Sequence, residues 1–388
     1  MVKLLCIVYY KANRYNMAFA LSRTYRPKTL TDLLGQETTV RILQNAAREN
    51  RLGQAYLFYG PRGTGKTTTA RLLAKLANCE RRRTDASFRA KGEPCNTCLL
   101  CKTIDEQASF DVVEIDAASN RGIDEIKNLK EAIKIAPALG TTRVYIIDEA
   151  HMLTGPAFNA LLKTLEEPPA HAMFILATTE YEKLPATITS RTQRFAFKRL
   201  PKTKIMEKLT SIAKAEKIKI DEAAIELVAA AGEGSFRDAE SILDQLRSFE
   251  KEIDLAAAER LTGRIGFRKV EEFMDLILAS DAKSALAAAA ELQEEGHNLT
   301  SLVKELIHYL RKTIALSVNS NLEGIYKSEL TAEELARMKE RASKIQPQKH
   351  LPILKNLIRA YSEMRYSPFP MIPLEIAILE NLKSEPKS

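Results

Sequence analysis

A glycine-rich segment at residues 60–67, Gly-Pro-Arg-Gly-Thr-Gly-Lys-Thr, has the spacing G-x-x-x-x-G-K-[ST] of a phosphate-binding loop. It lies between a predicted strand and a predicted helix. Glycines there let backbone N–H groups turn inward around phosphates, at the positive end of the helix. A glycine turn that only caps a helix would not account for Lys66 and Thr67. The nucleotide-binding residues predicted in this loop are Gly60, Gly63, Gly65, Lys66, Thr67 and Thr68.

Two acids, Asp148 and Glu149, directly follow the apolar run Val-Tyr-Ile-Ile at 144–147. A buried parallel strand would deliver them to its carboxyl end, beside the phosphates. Lys66 would neutralise the β- and γ-phosphates, while Thr67 and Asp148 would hold Mg²⁺. Glu149 would orient or deprotonate the attacking water. Loop and acids together predict ATP hydrolysis.

The letters Asp-Glu-Ala-His at 148–151 also occur in a class of nucleic-acid helicases. Such helicases need a second nucleotide-closing domain with an arginine-rich motif of the Q-x-x-G-R-x-G-R type. No such motif follows residue 200. We therefore expect His151 to pack beside the acids and not to serve as a helicase coupling element.

Four cysteines, Cys79, Cys95, Cys98 and Cys101, have the spacing C-x15-C-x2-C-x2-C between the phosphate loop and the acids. Four thiolates satisfy tetrahedral Zn²⁺ and leave no open position, so the predicted zinc site is structural and not catalytic. The alternative is a loop of reduced cysteines without metal. Cys6 is the one cysteine outside the cluster, so disulfides are not expected and a reducing cytoplasm fits the composition.

Up to about residue 198, apolar strand-like runs alternate with amphipathic helical stretches, and the predicted site residues lie between them. This alternation predicts a parallel sheet covered by helices. After Pro201 the pattern is helical, and one helix carries an apolar face that includes Val303, Leu306 and Leu310. We therefore expect one α/β domain followed by two helical domains. The predicted strands are Ala55–Tyr59, Val112–Ile115, Val144–Ile147, Phe174–Ala177 and Arg194–Phe197.

Bulk composition narrows the class of protein without identifying it. The 388 residues carry a net charge of +8, which is compatible with a nucleic-acid partner. No run reaches the ~18 apolar residues of a membrane span. A short apolar stretch near Met1 is interrupted by Lys11 and Arg14, which disfavours a secretion signal, and Met17 is an alternative start.

Several further motifs resemble one family, the gamma/tau subunits of the bacterial DNA polymerase III clamp loader. They include Tyr25-Arg-Pro, the Asp-Leu-Leu-Gly-Gln at 32–36, the Ala-Ser-Asn-Arg-Gly-Ile at 118–123 and Gly-Ser-Phe-Arg-Asp at 234–238. Most characteristic is the run Phe-Asn-Ala-Leu-Leu-Lys-Thr-Leu-Glu-Glu-Pro-Pro at 158–169. The resemblance extends from about residue 18 to about 262 and continues more weakly beyond.

The resemblance implies an AAA+ fold: a five-stranded parallel sheet with helices on both faces and an inserted zinc module, then a helical lid and a helical collar. By family position, Thr179, or else Thr178, resembles the polar sensor of the γ-phosphate, and Arg237 resembles a second sensor on the lid. Arg191 resembles the arginine finger, which completes the ATP site of a neighbouring subunit. The implied domains are 1–17 (an extension of uncertain role), 18–198 (ATPase, zinc module at 79–101), 199–264 (lid) and 265–388 (collar).

Two departures from the family pattern are visible. Thr192 replaces the cysteine that commonly follows the finger, which leaves the arginine itself intact. The gap after Cys79 is long and basic, with Arg81-Arg82-Arg83, Arg89 and Lys91; a solvated loop is the favoured interpretation, and a DNA contact is the alternative. Arg121 and Lys127, in a turn and helix that follow Ser119, are the candidate DNA-binding residues, although an ordinary solvated helix face fits equally.

The resemblance implies an ATP-driven motor subunit that acts with other clamp-loader subunits, in a hetero-oligomer expected to be a pentamer, to load a sliding clamp onto primer–template DNA. The expected cofactors are ATP, Mg²⁺ and Zn²⁺, no membrane is involved, and the location is cytoplasmic. One alternative is a branch-migration ATPase, which would lack the cysteines and the Leu-Glu-Glu-Pro-Pro stretch. The other is a non-catalytic scaffold subunit, which would typically lose Lys66 or Thr67.

Overall fold

The computed structural model describes residues 20–120, 122, 129–327 and 329–382. Its first half is built on five parallel strands in the spatial order β2-β3-β4-β1-β5. All five predicted strands are confirmed, with ends within two residues of the prediction. They are β1 Ala55–Tyr59, β2 Val112–Asp116, β3 Arg143–Asp148, β4 Ala172–Thr178 and β5 Gln193–Ala196.

Both faces of this sheet are covered, as expected where central strands are apolar at consecutive positions, as in residues 144–147 of β3 and 172–177 of β4. In β1, Tyr56 and Phe58 pack on one face with Leu43 and Leu73, whereas Leu57 packs on the other with Leu161. The helices of this half are α1 Leu21–Thr24, α2 Glu37–Arg48, α3 Lys66–Asn78, α4 Glu80–Thr84, α5 Ala86–Arg89, α6 Leu99–Asp105, α7 Gly155–Glu166 and α8 Ala186–Thr189, with 3-10 turns at Ala150–Met152 and Tyr181–Lys183.

A small helical unit follows Pro201 and has its own apolar core, in which Leu209, Val228 and Leu243 are buried. Its helices are α9 Lys202–Glu216, α10 Glu222–Ala231, α11 Phe236–Phe249 and α12 Leu255–Thr262. The expectation that strands end at residue 201 is wrong in one detail. Two short parallel strands, β6 Lys219–Ile220 and β7 Glu252–Ile253, pair here, because both connections return to the same end of the bundle.

The last part of the chain is a second helical unit around α15, whose predicted apolar face is confirmed: Val303, Leu306 and Leu310 are fully buried. Asn298 caps this helix by accepting from Ser301 N at 3.1 Å. The helices are α13 Phe267–Leu278, α14 Ala282–Glu294, α15 Leu299–Val318, α16 Glu323–Tyr326, α17 Ala332–Ala342, α18 Pro347–Met364 and α19 Met371–Leu382, with a 3-10 turn at Ser320–Leu322. Within the described ranges, no helix is both long and apolar enough to span a bilayer.

Candidate nucleotide site and zinc centre

The glycine-rich loop connects the end of β1 to the start of α3, the context that a phosphate loop requires. Gly60 N donates to Thr178 O at 3.2 Å, which ties the loop to the end of β4. Gly60 has a φ of +139°, and a Cβ there would lie 2.1 Å from the carbonyl oxygen of Phe197. Only glycine fits this position, so the close approach of two strand ends fixes the start of the loop.

Lys66, the first residue of α3, is almost fully buried, and its ammonium donates to the carbonyl oxygens of Gly60 at 2.7 Å and Pro61 at 2.8 Å. Burial lowers the pKa of Lys66, and the nearby carboxylates of Glu149 and Asp148 act in the opposite direction. Neutral carbonyls are weaker partners for an ammonium than anionic oxygens are. Phosphate oxygens at this loop would therefore compete effectively for Lys66.

The two predicted magnesium ligands are in direct contact. Thr67 Oγ1 donates to Asp148 Oδ2 at 2.7 Å, and Asp148 Oδ1 accepts from Glu149 N at 3.0 Å. The first contact places a hydroxyl and a carboxylate oxygen side by side, which is the donor set that Mg²⁺ prefers. The residues present therefore fit this cation.

Sequence reasoning missed one acid at this edge of the sheet. Asp116 is the last residue of β2, one residue beyond the predicted end of that strand. It lies in register with Asp148 on β3. Its carboxylate accepts from Ala118 N at 2.9 Å and Ser119 Oγ at 3.1 Å, which holds the turn after β2. An acid at the carboxyl end of a predicted strand is the signal that could have revealed it.

Glu149 is held in one orientation by the end of β4. Its Oε2 accepts from Thr179 N at 3.2 Å and from Thr179 Oγ1 at 2.9 Å. The backbone of Glu149 is left-handed, with a φ of +46°, which turns the side chain away from the strand direction. Thr179 is therefore joined to the predicted general base, whereas Thr178 is fully buried one residue earlier.

His151 lies beside the acids, as expected. Its Nδ1 is 2.9 Å from Thr178 Oγ1 and 3.4 Å from Glu149 Oε2, and its Nε2 is 3.1 Å from Glu180 Oε1. The imidazole thus bridges the ends of β3 and β4. These contacts join His151 to Glu149 and to the residues on either side of Thr179, which is a packing role beside the acids.

The first turn of α11 approaches the phosphate loop. A Cβ on Gly63 would lie 1.8 Å from Ser235 Oγ, and Ser235 caps α11 by accepting from Asp238 N at 3.2 Å. Arg237, the second residue of α11, is exposed, and no ion pair is recorded for it among the described residues. The predicted second sensor therefore lies on the helix that contacts the loop, and its guanidinium has no ion-pair partner among the described residues.

Arg191 lies at the opposite edge of the sheet from this site. Arg191 comes two residues before Gln193, and Gln193 pairs with Tyr56 near the start of β1. The phosphate loop follows Tyr59, which is the last residue of β1. The Arg191 guanidinium forms an ion pair with Glu166 and donates to Thr187 O at 2.8 Å. Arg191 borders an open groove of about 420 Å³ that Gln54, Pro168 and Gln193 also line. The structure does not bring Arg191 to the nucleotide loop of its own chain.

The four cysteines converge, and their Sγ atoms all lie within 4.8 Å of one another. Cys95 Sγ and Cys101 Sγ are 3.9 Å apart, close to the ~3.8 Å edge of a tetrahedron with Zn–S bonds of ~2.3 Å. Backbone N–H groups of Thr97 and Cys98 point at Cys95 Sγ from 3.4 and 3.3 Å. The hydrogen bond between Cys101 and Cys79 lowers the pKa of the Cys79 thiol and raises that of Cys101. The donor set fits a closed Zn²⁺ site.

The basic insert after Cys79 is not uniformly solvated, so the favoured interpretation is wrong for Arg82. This guanidinium is buried and donates to Ala47 O at 2.6 Å and to Leu76 O, near the carboxyl ends of α2 and α3. Carbonyls there lack helical partners, and a cation satisfies them. Arg81 is exposed, 4.5 Å over the ring of Phe88, as a solvated loop predicts.

The candidate DNA-binding residues, Arg121 and Lys127, lie outside the described residues, and so does Cys6. The turn that precedes Arg121 is described: Asn120 N donates to Asp116 O at 2.9 Å. The DNA assignment therefore stays a prediction.

A parallel sheet with a phosphate loop after β1, paired acids after β3 and a helical lid over the loop defines the AAA+ class of P-loop proteins. Three family models match almost the whole chain: "DNA polymerase III, delta subunit" over residues 35–201, "DNA polymerase III clamp loader subunit, ATPase lid domain" over 204–249 and "DNA polymerase III subunits gamma and tau domain III" over 253–386. The chain belongs to the gamma/tau family of DNA polymerase III clamp-loader subunits.

Curated relatives agree with this family. The DNA polymerase III subunit tau of Bacillus subtilis is 40% identical over 93% of this chain and 62% of its own length. The tau subunit of Escherichia coli is 35% identical over 95% of this chain and 56% of its own length. The gamma/tau subunit of Mycoplasma genitalium is 40% identical over 76% of this chain and 47% of its own length. The chain thus spans about half to three fifths of the length of these relatives.

Proposed function

We propose that this chain is an ATP-hydrolysing motor subunit of a clamp loader, which places a sliding clamp on primed DNA during replication. The observation that carries the proposal is that the predicted catalytic residues lie at two opposite ends of one sheet. Lys66, Thr67, Asp148 and Glu149 lie together at the carboxyl edge, whereas Arg191 faces an open groove near the amino edge. Such a division is what a site shared between neighbouring subunits requires.

In the proposed reaction, backbone N–H groups of the phosphate loop and the Lys66 ammonium bind the β- and γ-phosphates of ATP. Thr67 and Asp148 would hold Mg²⁺, which neutralises charge on the phosphates when it is bound. Glu149, fixed by Thr179, orients the water and accepts its proton. Arg237 would contact phosphate from the lid. Arg191 of a neighbouring subunit would offset the charge on the transferred phosphoryl group.

The same family assignment supports the remaining proposals. Residues 1–17 would be an extension, 18–198 the ATPase domain with the zinc module at 79–101, 199–264 the lid, and 265–388 a collar for assembly into a hetero-oligomer, proposed to be a pentamer. The partners would be other clamp-loader subunits, the sliding clamp and primer–template DNA, in the cytoplasm. A non-catalytic scaffold role is disfavoured, because Lys66, Thr67 and Glu149 are all present, with Thr67 in contact with Asp148 and Glu149 in contact with Thr179.

The test is ATP hydrolysis by the full chain reconstituted with its partner subunits and sliding clamp, with and without primed DNA. We expect stimulation by clamp and DNA together, and its loss in Arg191→Ala by about 10³-fold or more, with ATP binding unchanged. Arg194→Ala is the matched control, because Arg194 is exposed nearby and, among the described residues, its recorded side-chain hydrogen bond is with Tyr181 at 3.3 Å. No stimulation of the wild-type assembly would contradict the motor proposal. Weakened ATP binding in Arg191→Ala would contradict the finger assignment.

A further inference from the structure

The Leu-Glu-Glu-Pro-Pro stretch at 165–169 has no part in the nucleotide site of its own chain, yet it lies against Arg191. Glu166 is the last residue of α7, and its carboxylate forms the ion pair with the Arg191 guanidinium. The turn that follows is anchored, since Pro169 O accepts from Ala172 N at 2.8 Å and from Gln54 Nε2 at 2.9 Å. Glu166 is therefore presented from a fixed backbone.

The Arg191 side chain is held by more than one partner. Its NH1 donates to Thr187 O at 2.8 Å and to Ser190 Oγ at 3.3 Å, and its NH2 contacts Glu166. Two of the three guanidinium nitrogens are thus tied to the chain that carries them. The group is still one-third exposed and borders the 420 Å³ groove, so it is both ordered and accessible.

We propose that Glu166 is a positioning residue for Arg191, which holds the guanidinium at the groove before the phosphate of a neighbouring subunit reaches it. This inference rests on the proposed function of Arg191 as a finger that acts in trans. A free arginine samples many rotamers, and docking it during the reaction costs the entropy of fixing them. An arginine already held in place avoids that cost in the transition state.

The helix that carries Glu166 strengthens the argument. α7 begins at Gly155, capped by Thr154, three residues after His151 at the nucleotide edge of the sheet. Its 12 residues span ~18 Å, and its apolar face is buried through Phe158, Leu161 and Leu165. A rigid, buried helix therefore sets where Glu166 sits relative to the sheet. An isolated pair between two mobile surface side chains would contribute little.

The proposal assigns the effect to hydrogen-bond geometry and not to the negative charge, because a carboxylate beside the finger reduces its attraction for phosphate. Glu166→Gln separates the two effects, since its amide oxygen still accepts from the guanidinium while the charge is removed. Glu166→Ala removes both. Glu167→Ala is the matched control, because Glu167 is the next residue, is exposed and has no recorded side-chain contact within the part of the chain that the structure describes.

The experiment measures DNA- and clamp-stimulated ATP hydrolysis of the reconstituted assembly for these variants and for Arg191→Ala. We expect Glu166→Ala to lower kcat by about 10-fold with the KM for ATP unchanged, and Glu166→Gln to stay within about 3-fold of wild type. Glu167→Ala should match wild type. Glu166→Ala combined with Arg191→Ala should be no worse than Arg191→Ala alone, because both changes act through one group. Thermal unfolding of each variant checks the fold.

Three results would overturn the inference: wild-type kcat in Glu166→Ala, losses that multiply in the double variant, or faster hydrolysis in both Glu166→Ala and Glu166→Gln. The last would make the carboxylate a restraint on the finger. If Arg191→Ala itself retained full stimulated hydrolysis, the proposed function of Arg191 would fail instead. The two failures are therefore distinguishable within one set of measurements.

Discussion

The first turn of α3 carries polar groups that can exchange their partners, whereas the last turn and the segment after it carry polar groups that cannot. At the first turn, the ammonium of Lys66 is held by neutral carbonyls of its own loop. At the last turn, Lys75 is fully buried, donates to Asn96 Oδ1 at 2.9 Å and pairs with Asp105, the last residue of α6. The four cysteines, whose Sγ atoms all lie within 4.8 Å of one another, continue this closed arrangement.

The contrast shows how one helix can serve two purposes. A group that must bind and release phosphate needs weak partners, because a strongly paired ammonium would have to lose that pairing for each ligand. A group that fixes structure needs strong and complete pairing, because an unpaired buried charge is destabilising. We therefore expect changes at the first turn to affect hydrolysis more than stability, and changes at the last turn to do the reverse.

The largest expected effect is on hydrolysis, from Glu149→Gln. The amide keeps an oxygen for Thr179 N and Oγ1 but cannot accept the proton of the attacking water, so the stimulated rate should fall by about 10³-fold. ATP binding and the unfolding midpoint should stay near wild type. Glu180→Gln is the matched control, because Glu180 touches His151 without reaching Thr179. A comparable loss in Glu180→Gln would mean that the combined negative charge at this end of the sheet, and not Glu149 itself, is what hydrolysis requires.

The next effect is on stability, from Cys95→Ala. A site with three thiolates holds Zn²⁺ poorly, and metal binding supplies folding free energy that a loop with few apolar residues lacks. Elemental analysis should give about one zinc per chain in the wild type and none in the variant. The unfolding midpoint should fall, and a chelator should lower that of the wild type but not that of the variant. Equal zinc content in both proteins would contradict the Cys₄ site.

The sequence predicted the positions of the nucleotide loop and of the cysteine cluster, but it did not predict the long-range contacts around them. The spacing of residues 60–67 and of the four cysteines is a local pattern, and it located both the candidate nucleotide site and the candidate zinc site. The apolar runs located all five strands of the large sheet. The burial of Arg82 depends on the carboxyl ends of α2 and α3 meeting in space, which no local pattern encodes. The pair of Glu166 and Arg191 likewise joins residues whose proximity arises from the sheet order.

A smaller effect is expected where Lys75 meets the zinc module, and it should be asymmetric. Asp105→Ala leaves a fully buried ammonium with Asn96 as its remaining recorded partner, and we expect a loss of about 2–3 kcal/mol in the free energy of unfolding. Lys75→Met fills the same space without a charge and leaves Asp105 partly in water, so its loss should be smaller. Chemical denaturation measures both. A larger loss in Lys75→Met would show that Asp105 needs the pair more than Lys75 does.

The smallest expected effect concerns Glu334, a buried carboxylate of the second helical unit that contacts Lys202 of the first. Lys202 Nζ lies 2.6 Å from Glu226 Oε1 and 2.9 Å from Glu334 Oε2, and Glu334 is fully buried. Burial, aided by the hydrogen bond to Glu226 and opposed by Lys202, raises the pKa of Glu334 from 4.5 to about 7. The folded chain therefore binds this proton more tightly than the unfolded chain does.

The sign of the pH dependence follows from that difference. The contribution of Glu334 to stability is complete below pH 4.5 and is lost as the pH rises through about 7. The unfolding midpoint of wild type should decline over this window, and Glu334→Gln, which cannot titrate, should decline less. Glu340→Gln is the matched control on the same helix, because Lys344 holds the pKa of Glu340 below its usual value, so that it is already ionised. Parallel curves for wild type and Glu334→Gln would mean that the charge of Glu334 does not change over this pH range.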